Sequence, residues 1–132
     1  MAFDSGAGEL LTRYISDSSQ IRSSDNTVKH NVFMPPKSGR LSVYWISGLQ
    51  EATVWDIGND HVAPIRGQII ARADVNSVVA YENQLSVVVT GLPHPRHADI
   101  VGWDLNSTQP RLQAIKLAKA ATLRRAPAHL EP

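Results

Sequence analysis

The groups best able to do chemistry are gathered in His94-Pro95-Arg96-His97-Ala98-Asp99. Two imidazoles three residues apart, with a carboxylate two further on, offer nitrogen and oxygen ligands to zinc or another divalent ion. His61, beside Asp60, is the obvious recruit from elsewhere. Pro93 and Pro95 exclude the helix that would align the imidazoles, and no cysteine is present to complete a set. The expectation is therefore no metal and no cofactor, with His94, His97 and Asp99 as the alternative. The same segment supplies candidate bases. His30 or His97, assisted by the cations Arg22 or Arg96, would suit a small nucleotide- or RNA-directed enzyme. No GxSxG elbow accompanies them, so binding is preferred to catalysis.

Two groups of cations could meet phosphate. Arg22, Lys29, His30, Lys37 and Arg40 surround a Ser- and Asn-rich stretch in which only Asp25 opposes them. Hydroxyls and backbone N–H groups there can face a phosphate that Arg and Lys neutralise. Neither GxxxxGK[ST] nor GxGxxG occurs, so no standard nucleotide-binding turn is expected. The second group is Arg111, Lys116, Lys119, Arg124 and Arg125. Residues 1–110 carry eight basic and eleven acidic side chains (net −3), and residues 111–132 five basic against Glu131 (net +4), for a total of +1. A basic C-terminal helix of this kind could serve a non-catalytic nucleic-acid binder, or be a solvated face near the negative end of the helix dipole. Trp45, Trp55 and Trp103, with Tyr14, Tyr44 and Tyr81, would stack bases if exposed and fill the core if not.

These side chains must be positioned by one domain, residues 9–126, with flexible tails at 1–8 and 127–132. The chain has 132 residues, 42% of them apolar, and a domain of that size folds without disulfides or metal. The absence of cysteine excludes thiol catalysis, thiolate zinc and iron–sulfur chemistry. No apolar run reaches a membrane-spanning length, and the first residues lack a signal-peptide pattern, so a soluble cytoplasmic protein without a membrane partner is expected.

Glu9–Ser16 reads as a strand, and residues 16–31 as a long loop of the kind that is functional or mobile. Residues 32–36 should be extended, because Pro35 and Pro36 fix φ. Leu41, Val43 and Trp45 alternate with Tyr44 and Ile46, which predicts a strand over 41–47. Ser47 and Gln50 fit a capping box for a helix over 48–57 that Gly58 ends. Residues 59–67 read as loop and 67–74 as a strand, after which Asp74 caps a short helical turn. Residues 85–91 should be a buried strand and 99–103 a last short one. The final helix runs from a Ser107 or Thr108 cap to about Arg125. Ala114, Leu117, Ala118 and Ala121 form its packing face, and Leu112, Ile115 and Leu123 a second apolar edge. The class is α+β: a mixed or mostly antiparallel sheet with the C-terminal helix and one shorter helix packed on one face.

The segments Arg22–Pro36, Leu41–Leu49, Val54–Gly58, Ala71–Asp74 and Pro95–Trp103 together resemble a group of short bacterial hypothetical proteins. The resemblance spans most of residues 9–125. It implies a single-domain bacterial or phage-type origin, and no activity, cofactor or site. It singles out Arg22, Lys29, Phe33, Pro35, Trp55, His97 and Trp103 for mutation. The functional expectation is a small accessory domain that binds a protein partner through its polar loop, its proline-stiffened segment and its basic helix. The histidine–arginine enzyme and the nucleic-acid binder stand as alternatives.

Overall fold

The computed structural model describes residues 8–127, so the expected tails fall outside it except for Gly8 and Pro127. Its strands are β1 (Leu10–Ile15), β2 (Ile21–Arg22), β3 (Thr27–Val28), β4 (Leu41–Trp45), β5 (Ala71–Asn76), β6 (Ser86–Val89), β7 (His97–Val101) and β8 (Thr122–Arg125). Its helices are α1 (Glu51–His61), α2 (Ala63–Arg66), α3 (Ser77–Glu82) and α4 (Gln109–Ala120). Six strands make one sheet in the order β6-β7-β4-β1-β5-β8, and β2 and β3 form a separate hairpin. All neighbouring strands are antiparallel. This is the α+β class that the sequence predicts.

Alternation along β1 shows why the sheet has two different faces. Leu11 and Ile15 enter the larger core with Leu41, Val43, Val75, Val87 and Ile100. That face is covered by α3 and α4, through Ala80, Ala114, Leu117 and Ala118. Tyr14 points the other way, into a smaller cluster with Tyr44, Ile46, Val54, Trp55 and Ile57. Helix α1 therefore covers the second face. Of the face predicted for α4, Ala114, Leu117 and Ala118 are buried and Ala121, just past the helix, is partly buried, whereas Leu112 and Ile115 of the second apolar edge are exposed.

Several elements differ from the sequence reading. The C-terminal helix ends at Ala120, and Thr122–Arg125 pairs along β5 with Leu123 opposite Ala73. A free edge beside β5 offers these residues sheet hydrogen bonds, and Arg124 also reaches Asp74 there at 3.1 Å. Arg124 and Arg125 are thus strand residues. Gly58 does not end α1, which continues to His61. It serves packing instead, since a Cβ at Gly58 would lie 2.6 Å from Cδ1 of Tyr14. Ser47 does not cap this helix, because its Oγ accepts the N–H of Leu10 at 2.7 Å. Residues 63–66 are helical, where a loop was expected. Asp74 lies mid-strand, and Asn76 caps α3 by accepting from Val78 N at 2.9 Å. The expected buried strand at 85–91 is an edge strand, with Val87 buried and Val88 and Val89 half-buried. The expected 16–31 loop holds a 3-10 turn at Ser18–Gln20 and the β2–β3 hairpin. A second 3-10 turn, His30–Phe33, buries Val32 and Phe33 where an extended chain was predicted.

Candidate functional site

Side chains of the α1-facing side are unusually polar for an interior sheet surface. Thr12, Tyr14, Ser42, Tyr44, Arg72, Asp74, His97 and Asp99 alternate onto it by register. They divide into an ion cluster and a cleft. In the cluster Arg72, 1% exposed, donates to Glu51 at 2.8 and 3.1 Å and to Asp74 at 3.0 Å. Arg124 binds the same Asp74, and the Arg72 guanidinium lies 4.8 Å from the Trp55 ring. Hydrogen bonding from Arg72 holds the Glu51 carboxyl below its usual range. Tyr14 donates to Val54 O at 2.6 Å, and burial raises its pKa. These contacts fasten α1 to the sheet.

Beside the cluster, α1 and α2 leave a cleft of about 220 Å³ over β1, β4 and the β6–β7 connection. Thr12, Arg13, Tyr14, Ser42, Tyr44, His61, Arg66 and His97 line it, with Val62, Ile65 and Pro93 as its apolar wall. Among the described residues no carboxylate lines it. Arg13 follows the last β1–β4 pair, Thr12 with Tyr44. Its Nε donates to Val32 O and its Nη1 to Ser42 O, both at 2.9 Å. Neither Arg13 nor Arg66 has an ion-pair partner among the described residues. Burial, and then repulsion from Arg66, push the Arg13 pKa down to about 10.

At the cleft floor His97 uses both ring nitrogens. Nε2 lies 3.0 Å from Ser42 Oγ, and Nδ1 contacts Thr90 Oγ1. The single Thr90 hydroxyl proton has three acceptors in reach, His97 Nδ1, Leu92 O at 3.1 Å and His97 O at 3.2 Å. Donated to either carbonyl, it leaves Thr90 Oγ1 accepting from Nδ1–H and Nε2 accepting from Ser42 Oγ–H; donated to Nδ1, it reverses both roles. Burial lowers the His97 pKa, and Arg40 adds to this while Asp99 opposes it. The lowered pKa favours the neutral imidazole. Tyr44 links the rings, 5.2 Å from His97 and 6.3 Å from His94, and His94 lies 5.1 Å from His61.

The predicted residues are dispersed by this fold. His94 and His61 do meet, but no group of three or more ligand residues able to hold a metal ion exists among the described residues. The His94–His97–Asp99 alternative thus lacks its geometry: His97 is engaged by Ser42 and Thr90, and Asp99 by Arg40 at 2.8 Å. Arg96 stacks 3.7 Å over the Trp45 ring and donates to Ser47 O. Arg22, His30 and Lys119 share a different cleft, of about 330 Å³, between the β2–β3 hairpin and α4. Arg22 lies 3.8 Å from Asp25 there. Lys37 and Arg111 border a shallow groove with Pro35 and Pro36. Arg125 donates to Asn26, while Lys29 and Lys116 line none of these cavities. Trp55 and Trp103 are buried. Arg13, Ser42 and Arg66 were not among the predicted residues, and Tyr44 was considered only as an aromatic. A cation inside the apolar strand LLTRYI was a legible signal for Arg13, and none marked Arg66. No family model, curated protein or solved structure matches the chain, so the site rests on its own geometry.

Proposed function

We propose that this domain binds a small organic anion in the cleft between α1–α2 and the sheet. One observation carries the reading: Arg13 and Arg66 line a cleft that no carboxylate of the described residues lines, and repulsion from Arg66 adds to the burial that lowers the Arg13 pKa. An incoming phosphate monoester or carboxylate would relieve that repulsion, and a guanidinium fork suits either group. The rings of Tyr14 and Tyr44 with Val62, Ile65 and Pro93 would take an apolar body. A thermal-shift screen of aryl phosphates and aryl carboxylates against their uncharged analogues tests this. Anions alone should raise the midpoint, and equal shifts from neutral analogues would reject the reading.

A second reading retains the protein partner. Ile65 and Leu92 are 83% and 77% exposed, and both adjoin the cleft, Leu92 through its neighbour Pro93. A partner presenting a carboxylate beside an apolar side chain would fit that arrangement. Nucleic acid is less favoured, because Arg40, Arg124 and Arg125 are engaged by Asp99, Asp74 and Asn26 and form no continuous basic face.

A further inference from the structure

We infer that Ser42 and His97 form a nucleophile–base pair that cleaves esters of the anionic ligand. This rests on the anion-binding reading and adds a reaction to it. The Ser42 side chain is exposed in the cleft, on the rigid strand β4, with Oγ 3.0 Å from a buried imidazole nitrogen. In the tautomer protonated on Nδ1, with Thr90 Oγ1 accepting that proton and donating to Leu92 O or His97 O, Nε2 holds the lone pair that a general base toward a hydroxyl requires. Arg13 donates to the backbone oxygen of Ser42 itself, which places an anion-binding guanidinium beside the nucleophile. The substrate class is a carboxylic ester whose acyl part carries an anionic group.

In the first step Ser42 Oγ bonds to the ester carbon while its proton passes to His97 Nε2. The bond from that carbon to the alcohol oxygen breaks, and the alcohol leaves with the proton from His97. Water then adds to the acyl carbon, giving its proton to Nε2. The Ser42 ester bond breaks, releasing the acid, and the proton returns to Oγ. No oxidant, reductant or metal enters the balance.

The test is labelling of the full chain by a fluorophosphonate with an uncharged alkyl chain, located by peptide mass spectrometry. Ser42 Oγ bonds to phosphorus, fluoride leaves, and the proton passes through His97 to solvent. The expected result is a single adduct on Ser42, lost in Ser42→Ala and slowed about 100-fold in His97→Gln. Thr90 acts as a positioning residue: Thr90→Val should slow labelling about tenfold, and Thr90→Ser should restore it. An unlabelled Ser42, or labelling indifferent to His97→Gln, overturns the proposal. Inorganic phosphate separates the two readings. Labelling that phosphate does not slow keeps the pair and removes the anion site, while phosphate binding without labelling does the reverse.

Discussion

Arg13 stands in a strand whose neighbours Leu11 and Ile15 are fully buried, and it is held by two carbonyls with no carboxylate. His97 and His94 sit close by, and burial lowers the pKa of both. An unfolded histidine titrates near 6.5. Between that value and the lower folded ones, the unfolded chain binds more protons, so acidification draws the protein toward unfolding. Urea midpoints should stay level from pH 8 to 7 and fall as the pH drops below 6.5. A His97→Gln variant should lose part of that slope. Asp74 answers two arginines, one of them buried. Asp74→Ala should cost about 3 kcal/mol in urea unfolding, because it strips a carboxylate from an inaccessible guanidinium. The histidines were legible as chemical groups from the sequence. Their partners, Ser42 and Thr90, were not, because neighbours across a sheet are set by register and leave no local pattern.

Helix α1 is the element that makes the cleft, and Gly58 sets its distance from the sheet. A Cβ there would meet the Tyr14 ring at 2.6 Å, too close for any rotamer to absorb without movement. Gly58→Ala should destabilise the fold by about 1–3 kcal/mol through overpacking, despite the better helix propensity of alanine. It should also weaken anion binding, since α1 and α2 carry His61 and Arg66. Strands β1 and β4 and the small-residue face of α4 were readable from alternation and 3.6-residue periodicity. Gly58 was misread as a stop because a helix-ending glycine and a close-packing glycine look alike in sequence. The end of α4 was misread for a related reason. Lys119 and Ala120 continue a helical pattern, and only the open edge of β5 diverts Thr122–Arg125 into a strand.

At the scale of the molecule, Arg22, Arg40, Arg72 and Arg124 are neutralised by neighbouring carboxylates. The C-terminal cations that suggested a nucleic-acid surface are split between helix α4 and edge strand β8. Arg124 and Arg125 are already partnered. Binding to a random DNA duplex should therefore be weak, with a shallow salt slope in fluorescence anisotropy rather than the steep one of a multi-phosphate contact. The α+β class, with a mixed or mostly antiparallel sheet, followed from the element order. That one sheet face is apolar and the other polar, with a cavity on the polar side, did not.

The measurement that bears most directly on anion binding is isothermal titration of phenyl phosphate into the full chain at low salt, repeated with Arg13→Met and Arg66→Ala. A single site should appear, weakened about tenfold or more by each substitution, as expected when a charged hydrogen bond is lost. No heat of binding, or an affinity that both variants keep, would contradict the account.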